Sequence, residues 1–188
     1  MKESLINLPL DAEFKLVLYP EESGYEIDLE KLEEVLTENR FIGTELSKYQ
    51  YLVGDDFLSH LTFMGCSPNI ELEPQTDDKP FCYIALNRSG KSQFIAGSNL
   101  KKARCTYCKG EVSKLDVNAL CAHCDKPLAL TKINWRKTAF VAKVWITIGN
   151  IYELEAIPND ALLSTLQRTT GVQWKPAYIR NATRRDIA

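Results

Sequence analysis

Apolar residues of this chain are spaced in two ways, alternating in some segments and recurring every three or four positions in others. Alternating or continuous apolar runs between turn residues predict strands. The five strands predicted in this way cover residues 14–19, 81–86, 93–96, 139–148 and 172–179. Pro176 restricts the last of them to the edge of a sheet, because proline has no backbone N–H to donate to a neighbouring strand.

Helical spacing occurs in three segments. From Asp28 to about Arg40, apolar residues recur every three or four positions behind a capping aspartate. The short apolar segment 55–64 is predicted to be helical and to end before a glycine. The third helix begins at Asn159 or Asp160 and ends at Gly171. Separate strands and helices predict an α+β fold with a mixed or antiparallel sheet and two or three helices.

The segment 139–148 gives the clearest strand pattern and is predicted to be central. Its even-numbered residues from Phe140 to Ile148 are expected to share one face of the sheet. Gly149 and Asn150 have the composition of a two-residue hairpin turn. We therefore predict that residues 151–157 return as the partner of this strand, with residues 81–86 as a second neighbour.

The 188 residues suffice for one domain with a small inserted module. We predict that residues 1–100 and 138–188 form the α+β domain and that residues 101–137 are the insert. Hydrophobic residues make up 45% of the chain, which excludes general disorder. No apolar run reaches the ~18 residues of a membrane helix, and no secretory signal is visible at the N-terminus. We expect a cytoplasmic protein without membrane contact.

Four of the six cysteines form two Cys-x-x-Cys pairs, Cys105 with Cys108 and Cys121 with Cys124, separated by twelve residues. In a cytosolic chain this pattern indicates a metal rather than disulfides. Four thiolates in a tetrahedron are the ligand set of structural zinc. We therefore predict one structural Zn²⁺. His123 could replace a thiolate, but an exposed imidazole is the preferred interpretation.

Residues of about 101–130 resemble the zinc-ribbon and rubredoxin-like knuckle families. The resemblance implies a closed site, and such ribbons occur in nucleic-acid-binding proteins, in components of transcription and translation, and as stabilising inserts in enzymes. Rubredoxin knuckles carry a glycine directly after the second cysteine. Here Lys109 and Asp125 stand at those positions. This departure favours zinc over iron.

Charge is distributed unevenly along the chain. Residues 1–100 carry 8 basic and 18 acidic side chains, whereas residues 101–143 carry 10 basic and 3 acidic ones. A basic segment of this kind suits a polyanion such as nucleic acid, with Tyr107 and Trp135 as possible stacking platforms. The opposite interpretation is that acidic and basic segments neutralise each other within the fold. The candidate nucleic-acid-binding residues are Lys101, Lys102, Arg104, Lys109, Lys126, Arg136 and Lys137.

A catalytic role has one candidate, a pair formed by Cys66 and His60. A nucleophilic cysteine requires a nearby base or a helix N-terminus to become a thiolate. Cys66 instead follows the end of a predicted helix, where the helix dipole opposes ionisation. Cys82 lies in an apolar strand and is predicted to be part of the core. The sequence contains no phosphate-binding loop, dinucleotide fingerprint or zinc-protease motif.

The run from Phe63 to Pro68, with Phe81-Cys82 and the four-cysteine segment after it, is similar to uncharacterised bacterial proteins of about this length. That resemblance implies one continuous arrangement and no activity. The principal hypothesis is a non-catalytic binding or adaptor protein with structural zinc and a protein partner. The alternatives are a nucleic-acid-binding protein that uses the basic ribbon face, and an enzyme with a Cys66/His60 site.

Overall fold

The computed structural model describes residues 12–65, 70–75, 79–112 and 120–186. Within these ranges the chain forms nine strands and two α-helices. The strands are β1 (Phe14–Pro20), β2 (Ile42–Ser47), β3 (Gln50–Val53), β4 (Leu61–Phe63), β5 (Tyr83–Ala96), β6 (Ala139–Gly149), β7 (Ala156–Pro158), β8 (Trp174–Arg180) and β9 (Thr183–Asp186). The helices are α1 (Leu29–Glu38) and α2 (Asp160–Thr170). Two single 3₁₀ turns cover Phe57–His60 and Leu130–Lys132.

The main sheet has the strand order β2-β3-β5-β6-β1-β8, and every pairing in it is antiparallel. The α+β prediction with an antiparallel sheet and two helices is confirmed. β6 lies between β5 and β1, so its central position and its pairing with residues 81–86 are also confirmed. β8 lies at the edge, as Pro176 requires.

Both helices pack on one face of the main sheet. Their buried leucines join a single core with sheet residues such as Leu16, Ile84 and Ile146. Helix α1 contacts β5, and α2 contacts β8. Each helix has one apolar side, so a single layer of two helices covers this face of the sheet.

The main sheet curls back on itself through β9. β8 ends at Arg180, and β9 begins three residues later, after Asn181 in a left-handed conformation (φ 47°). β9 then pairs with the C-terminal half of β5, residues 93–96, although three neighbour steps in the sheet order separate β5 from β8. The short link between β8 and β9 brings the two ends of this part of the sheet together. The face opposite the helices is therefore concave.

The predicted helix 55–64 is wrong. Only a 3₁₀ turn over Phe57–His60 forms there, and Leu61–Phe63 continues as β4. β4 pairs with β7 in a separate two-stranded sheet. Pairing with β7 provides backbone partners for the extended chain, and this tertiary contact overrides the local preference of a short segment for a helix.

The predicted hairpin after β6 is also wrong. β6 pairs with β5 and β1, and residues 151–157 contribute only the start of β7, which pairs with β4. Asn150 has the left-handed conformation expected of a turn (φ 63°), but its backbone N–H donates to the Phe14 carbonyl of β1. The turn residues therefore reverse the chain without setting a two-stranded hairpin.

The two predicted strands 81–86 and 93–96 form one long strand, β5, with a shift of register against β6 between residues 88 and 93. This irregularity accompanies a change of face along β6. Phe140 and Ala142 lie with Trp145 in the apolar cluster of the concave face, whereas even-numbered residues from Val144 onward lie in the helix-side core. The expectation that all even-numbered residues of β6 share one face is therefore wrong, because bulges change the alternation of side chains.

β2, β3 and β9 were not predicted. β2 is largely exposed and rich in polar residues, so its sequence Ile42–Ser47 lacks an apolar alternation. Arg180 belongs to β8, and Arg184 and Arg185 belong to β9. Their backbones are held by pairing with β1 and β5.

Candidate metal centre

The four paired cysteines lie close together in the segment between β5 and β6. Their Sγ atoms are all within 4.8 Å of one another. Four sulfurs held at about 2.3 Å from one ion are separated by about 3.8 Å. The Sγ atoms of Cys105 and Cys124 are 3.9 Å apart, and those of Cys108 and Cys121 are 3.6 Å apart. These separations suit a shared ion and far exceed the roughly 2.05 Å of a disulfide bond.

Each cysteine pair is part of a turn whose backbone supports the sulfurs. The N–H of Tyr107 points to Cys105 Sγ at 3.4 Å, and the N–H of Gly110 points to Cys108 Sγ at 3.4 Å. The N–H of Lys109 donates to the Cys105 carbonyl at 2.9 Å, and that of Asp125 donates to the Cys121 carbonyl at 2.8 Å. The two N–H groups that point to sulfur favour negative charge there, and the two that donate to carbonyls fix the shape of the turns.

Lys109 and Asp125 adopt left-handed backbone conformations, with φ values of 62° and 55°. These are the two positions directly after the second cysteine of each pair. The turn therefore requires a positive φ there in this chain as well, although neither residue is glycine. The departure from the rubredoxin pattern changes the side chain but not the backbone geometry of the turns.

At position 110 a glycine is required because the neighbouring side chains leave no room for a Cβ atom. A Cβ atom at this position would lie 2.5 Å from His123 Cδ2 and 3.3 Å from Cys108 Sγ. His123 is itself exposed and lies outside the four-sulfur cluster. The imidazole therefore packs beside the first turn, and the cluster that could hold a metal ion consists of the four cysteines.

The surroundings of the cluster shift the ionisation of two of its thiols, those of Cys105 and Cys124. The backbone N–H of Cys108 lowers the pKa of the Cys105 thiol to about 7. For Cys124, the backbone N–H of Lys126 favours the thiolate, but burial and the neighbouring sulfurs outweigh it and raise the pKa to about 12. A divalent cation bound by four thiolates would displace their protons and offset two of their four negative charges.

The segment is anchored to the sheet at its two ends by a buried threonine. Thr138 Oγ1 accepts a hydrogen bond from the Lys101 N–H at 3.0 Å and donates to the Trp135 carbonyl at 2.8 Å. Trp135 packs with Phe94 of β5, with ring centroids 4.8 Å apart, and shares an apolar cluster with Cys105 and Cys121. The metal centre is thus continuous with the end of the main sheet.

Several of the candidate nucleic-acid-binding residues are already engaged within the fold. Lys101 pairs with Glu153 at 2.9 Å, and Lys102 pairs with Glu111 at 2.8 Å. Lys109 Nζ donates to the Thr106 carbonyl at 2.9 Å. The two acidic partners, Glu111 and Glu153, lie outside the acidic segment 1–100, so these contacts reduce the charge of the basic segment without pairing it with the acidic one.

The remaining candidates differ in their surroundings. Lys126 lies over the ring of Tyr107, with Nζ 4.6 Å from its centroid. Arg104, Arg136 and Lys137 are exposed, and no acidic side chain pairs with them in the described part of the chain. The basic surface of this segment is therefore reduced to a few side chains.

Only one of the two proposed stacking platforms is accessible. Tyr107 is exposed, but Trp135 is buried and its indole N–H donates to the Leu130 carbonyl at 2.9 Å. The expectation that Trp135 stacks on a base is wrong. The tryptophan serves the apolar cluster between the metal centre and the sheet, where indole packing is more favourable than exposure to water.

The residues of the enzyme hypothesis are placed only in part. Cys66 lies outside the described residues. His60 Nε2 is 2.9 Å from the Asn39 carbonyl oxygen, and the ring packs edge-on against Phe41. Asp55 and Asp56, next to this turn, form ion pairs with Arg40. Cys82 is fully buried, as predicted, and its pKa is raised to about 12 mainly by burial.

Neither helix of the described part has the length and the apolar composition needed to cross a membrane.

Comparison of the chain with protein-family models, with curated proteins and with solved structures finds no match in any of the three. The clustered cysteines support the resemblance to a zinc knuckle on geometry alone.

Proposed function

We propose that this chain is a non-catalytic binding protein in which one structural Zn²⁺ holds residues 101–137 as a ribbon. The observation that carries the proposal is the cluster of four cysteine sulfurs within 4.8 Å of one another. Four protein ligands complete a tetrahedral site and leave no coordination position for water or substrate. An ion held in this way supports structure and takes no part in a reaction.

The chemistry of the four ligands supports zinc. Thiolates are soft ligands that select zinc, copper(I) or iron–sulfur chemistry over magnesium and calcium. The use of cysteines as metal ligands also suits a reducing compartment, and we place the protein in the cytoplasm on this ground. In this proposal Cys105, Cys108, Cys121 and Cys124 hold the ion.

The ribbon also supplies the surface for a protein partner. Tyr107 and Leu120, one near each cysteine turn, are 56% and 63% exposed. Apolar side chains beside a rigid metal site suit a protein surface, since little ordering of the ribbon opposes binding. The ion pairs of Lys101 and Lys102 reduce the positive charge that a nucleic acid would require.

Metal analysis of the full chain tests the structural zinc. We expect about one zinc per chain, loss of that zinc in Cys121→Ser, and retention in Cys82→Ala. Nuclear magnetic resonance should show that chelation disorders the ribbon while the sheet residues of β6 keep their dispersed signals. Retention of one zinc in Cys121→Ser, or its loss in Cys82→Ala, would contradict the ligand assignment.

Fluorescence anisotropy with labelled single-stranded RNA and duplex DNA tests the choice between partners. We expect no binding by the zinc-loaded protein at about 50 mM salt. Micromolar binding that weakens steeply by about 200 mM salt would instead indicate a nucleic-acid-binding protein, because phosphate contacts release counterions. In that case Arg136→Glu should reduce the affinity, whereas Lys175→Glu, at a lysine paired with Glu21, serves as the matched control.

A further inference from the structure

The concave face of the main sheet encloses a cavity of about 370 Å³. Its lining residues come from β1, β3, β5, β6 and β8, and from Ala182 in the link between β8 and β9. Taking about 30 Å³ for each water in the liquid, the cavity holds roughly a dozen waters or a small organic molecule. This site is separate from the four cysteines, none of which lines it.

One lysine, Lys15, lines the cavity together with polar and aromatic residues. Its lining includes the polar residues Lys15, Gln50, Asn87 and Thr147 and the aromatic residues Tyr83, Phe140 and Trp145, and none of the described residues that line it is acidic. Lys15 and Thr147 are only 9% and 7% exposed. Polar groups that converge on a concave site fix the orientation of a small ligand.

Strand register places the cation beside a hydroxyl. Lys15 of β1 pairs with Gly149 of β6, and Val17 pairs with Thr147, so Lys15 and Thr147 are diagonal neighbours on one face. Diagonal neighbours in an antiparallel pair are within reach of a long side chain. An ammonium and a hydroxyl in this arrangement provide two donors for one anionic group.

The orientation of Thr147 is set by Asn87. Asn87 Nδ2 donates to Thr147 Oγ1 at 3.1 Å and to the Ala85 carbonyl at 2.9 Å. Because Thr147 Oγ1 accepts from the amide, its own hydrogen is available for a ligand. Lys15 also takes part in an interaction within the chain, and its ammonium has three hydrogens with which to serve a further acceptor.

The aromatic wall is built on a close approach at Gly149. A Cβ atom there would lie 2.2 Å from the ring of Tyr83, so the glycine allows that ring to lie across β6 towards Lys15. On the other side, the rings of Phe140 and Trp145 pack together with centroids 6.1 Å apart. Flat apolar walls of this kind favour a planar ligand.

We infer that this cavity binds a small planar organic anion, an aromatic carboxylate. The carboxylate accepts hydrogen bonds from Lys15 Nζ and Thr147 Oγ1, and the ring lies against the aromatic wall. Charge-assisted hydrogen bonds away from bulk water are the strong polar contacts of such sites.

Titration calorimetry with naphthalene-2-carboxylate and the neutral naphthalene-2-carboxamide tests this inference on the zinc-loaded full chain. The two probes have nearly the same shape and differ in charge. We expect saturable binding of the acid and at least tenfold weaker binding of the amide. Equal affinities, or no binding of either probe up to about 1 mM, would overturn the inference.

Variants then locate the site. Lys15→Met should weaken binding of the acid at least tenfold and leave the amide unchanged, and Lys175→Met is the matched surface control. Ala85→Leu, which adds volume to the cavity wall, should abolish binding of both probes. If Lys15→Met does not fold, the comparison of the two probes on the unaltered chain still decides. Unchanged binding of the acid in a folded Lys15→Met protein would refute the site.

Discussion

Burial sets the chemistry of Cys82 at the scale of the single residue. Its thiol is fully buried, and its nearest polar contact is the Asn150 carbonyl oxygen at 3.9 Å. Loss of hydration disfavours the thiolate, and the pKa is accordingly raised to about 12, with Glu155 adding to the effect. The paired cysteines have the same side chain, but their ionisation is controlled by backbone N–H groups and by one another.

This raised pKa makes stability fall at alkaline pH. An unfolded cysteine ionises near pH 8.5, so above that pH the unfolded chain loses a proton that the folded chain keeps. Stabilisation from the neutral thiol is complete below about pH 8.5 and is lost as the pH rises towards 12. The unaltered chain should therefore lose more stability than Cys82→Ala as the pH rises. Measured by urea unfolding, the difference in free energy of unfolding between the two proteins should shrink by about 2 kcal/mol between pH 8 and pH 10.5.

The control for this measurement is Val144→Ala. Val144 is buried in the same apolar core as Cys82 but has no titratable group. The difference in free energy of unfolding between Val144→Ala and the unaltered chain should therefore be the same at both pH values. If the difference for Cys82→Ala also stays constant, the thiol does not titrate differently in the folded and unfolded states.

Helix ends illustrate the scale of the element. Asn159, at the start of α2, accepts a hydrogen bond from the Leu162 N–H at 2.9 Å, and Gly171 ends the helix with φ 76°. Asp28, at the start of α1, makes no capping hydrogen bond and instead pairs with Arg88 at 3.3 Å. Both residues have the backbone conformation of a cap, but only one uses its side chain for it.

For this reason we expect substitutions at the two caps to differ in their effect on the free energy of unfolding. Asn159→Ala should reduce the free energy of unfolding by about 1 kcal/mol, since it leaves the Leu162 N–H without its partner. Asp28→Ala removes only an exposed ion pair and should cost less than about 0.5 kcal/mol. Urea unfolding of both variants measures the difference, and equal losses would contradict it.

At the scale of the whole molecule, the ribbon and the sheet share an apolar cluster. Trp135 from the ribbon packs with Ala96 and Ala139, the residues at which β5 ends and β6 begins. Its contact with Phe94 continues the cluster into the sheet. The four cysteines and this cluster therefore lie at the same end of the molecule.

Trp135→Ala should for this reason destabilise the sheet and not only the ribbon. Loss of a buried tryptophan is expected to cost about 3–5 kcal/mol. The remaining tryptophans, Trp145 of β6 and Trp174 of β8, report sheet unfolding by fluorescence. The control Tyr107→Ala removes an exposed ring of the ribbon and should cost less than about 1 kcal/mol. An unchanged sheet transition in Trp135→Ala would show that the two parts unfold independently.

Local signals in the sequence were sufficient for several features. The four cysteines could be assigned because each Cys-x-x-Cys turn is formed by neighbouring residues, and spacing alone brings its two sulfurs together. The same holds for α2, whose cap at Asn159 and left-handed Gly171 are both local. Strong apolar patterns likewise identified β1 and β6.

Pairings between distant residues were decided by the tertiary structure. β4 pairs with β7 across almost a hundred residues, and its sequence, Leu61–Phe63, gives no sign of that partner. β9 pairs with β5 only because the sheet curls. In the sequence Lys101 belongs to a basic segment, but in the structure it pairs with Glu153, which lies 52 positions away along the chain.

The sequence by itself determined the α+β class, the helices α1 and α2 and the two cysteine turns, since these depend on residues a few positions apart. The tertiary structure decided which strands are neighbours, which lysines are neutralised, and that Lys15, Asn87 and Thr147 face one cavity. The physical reason is that contacts between distant segments depend on how the whole chain packs, and no local pattern of side chains specifies that packing.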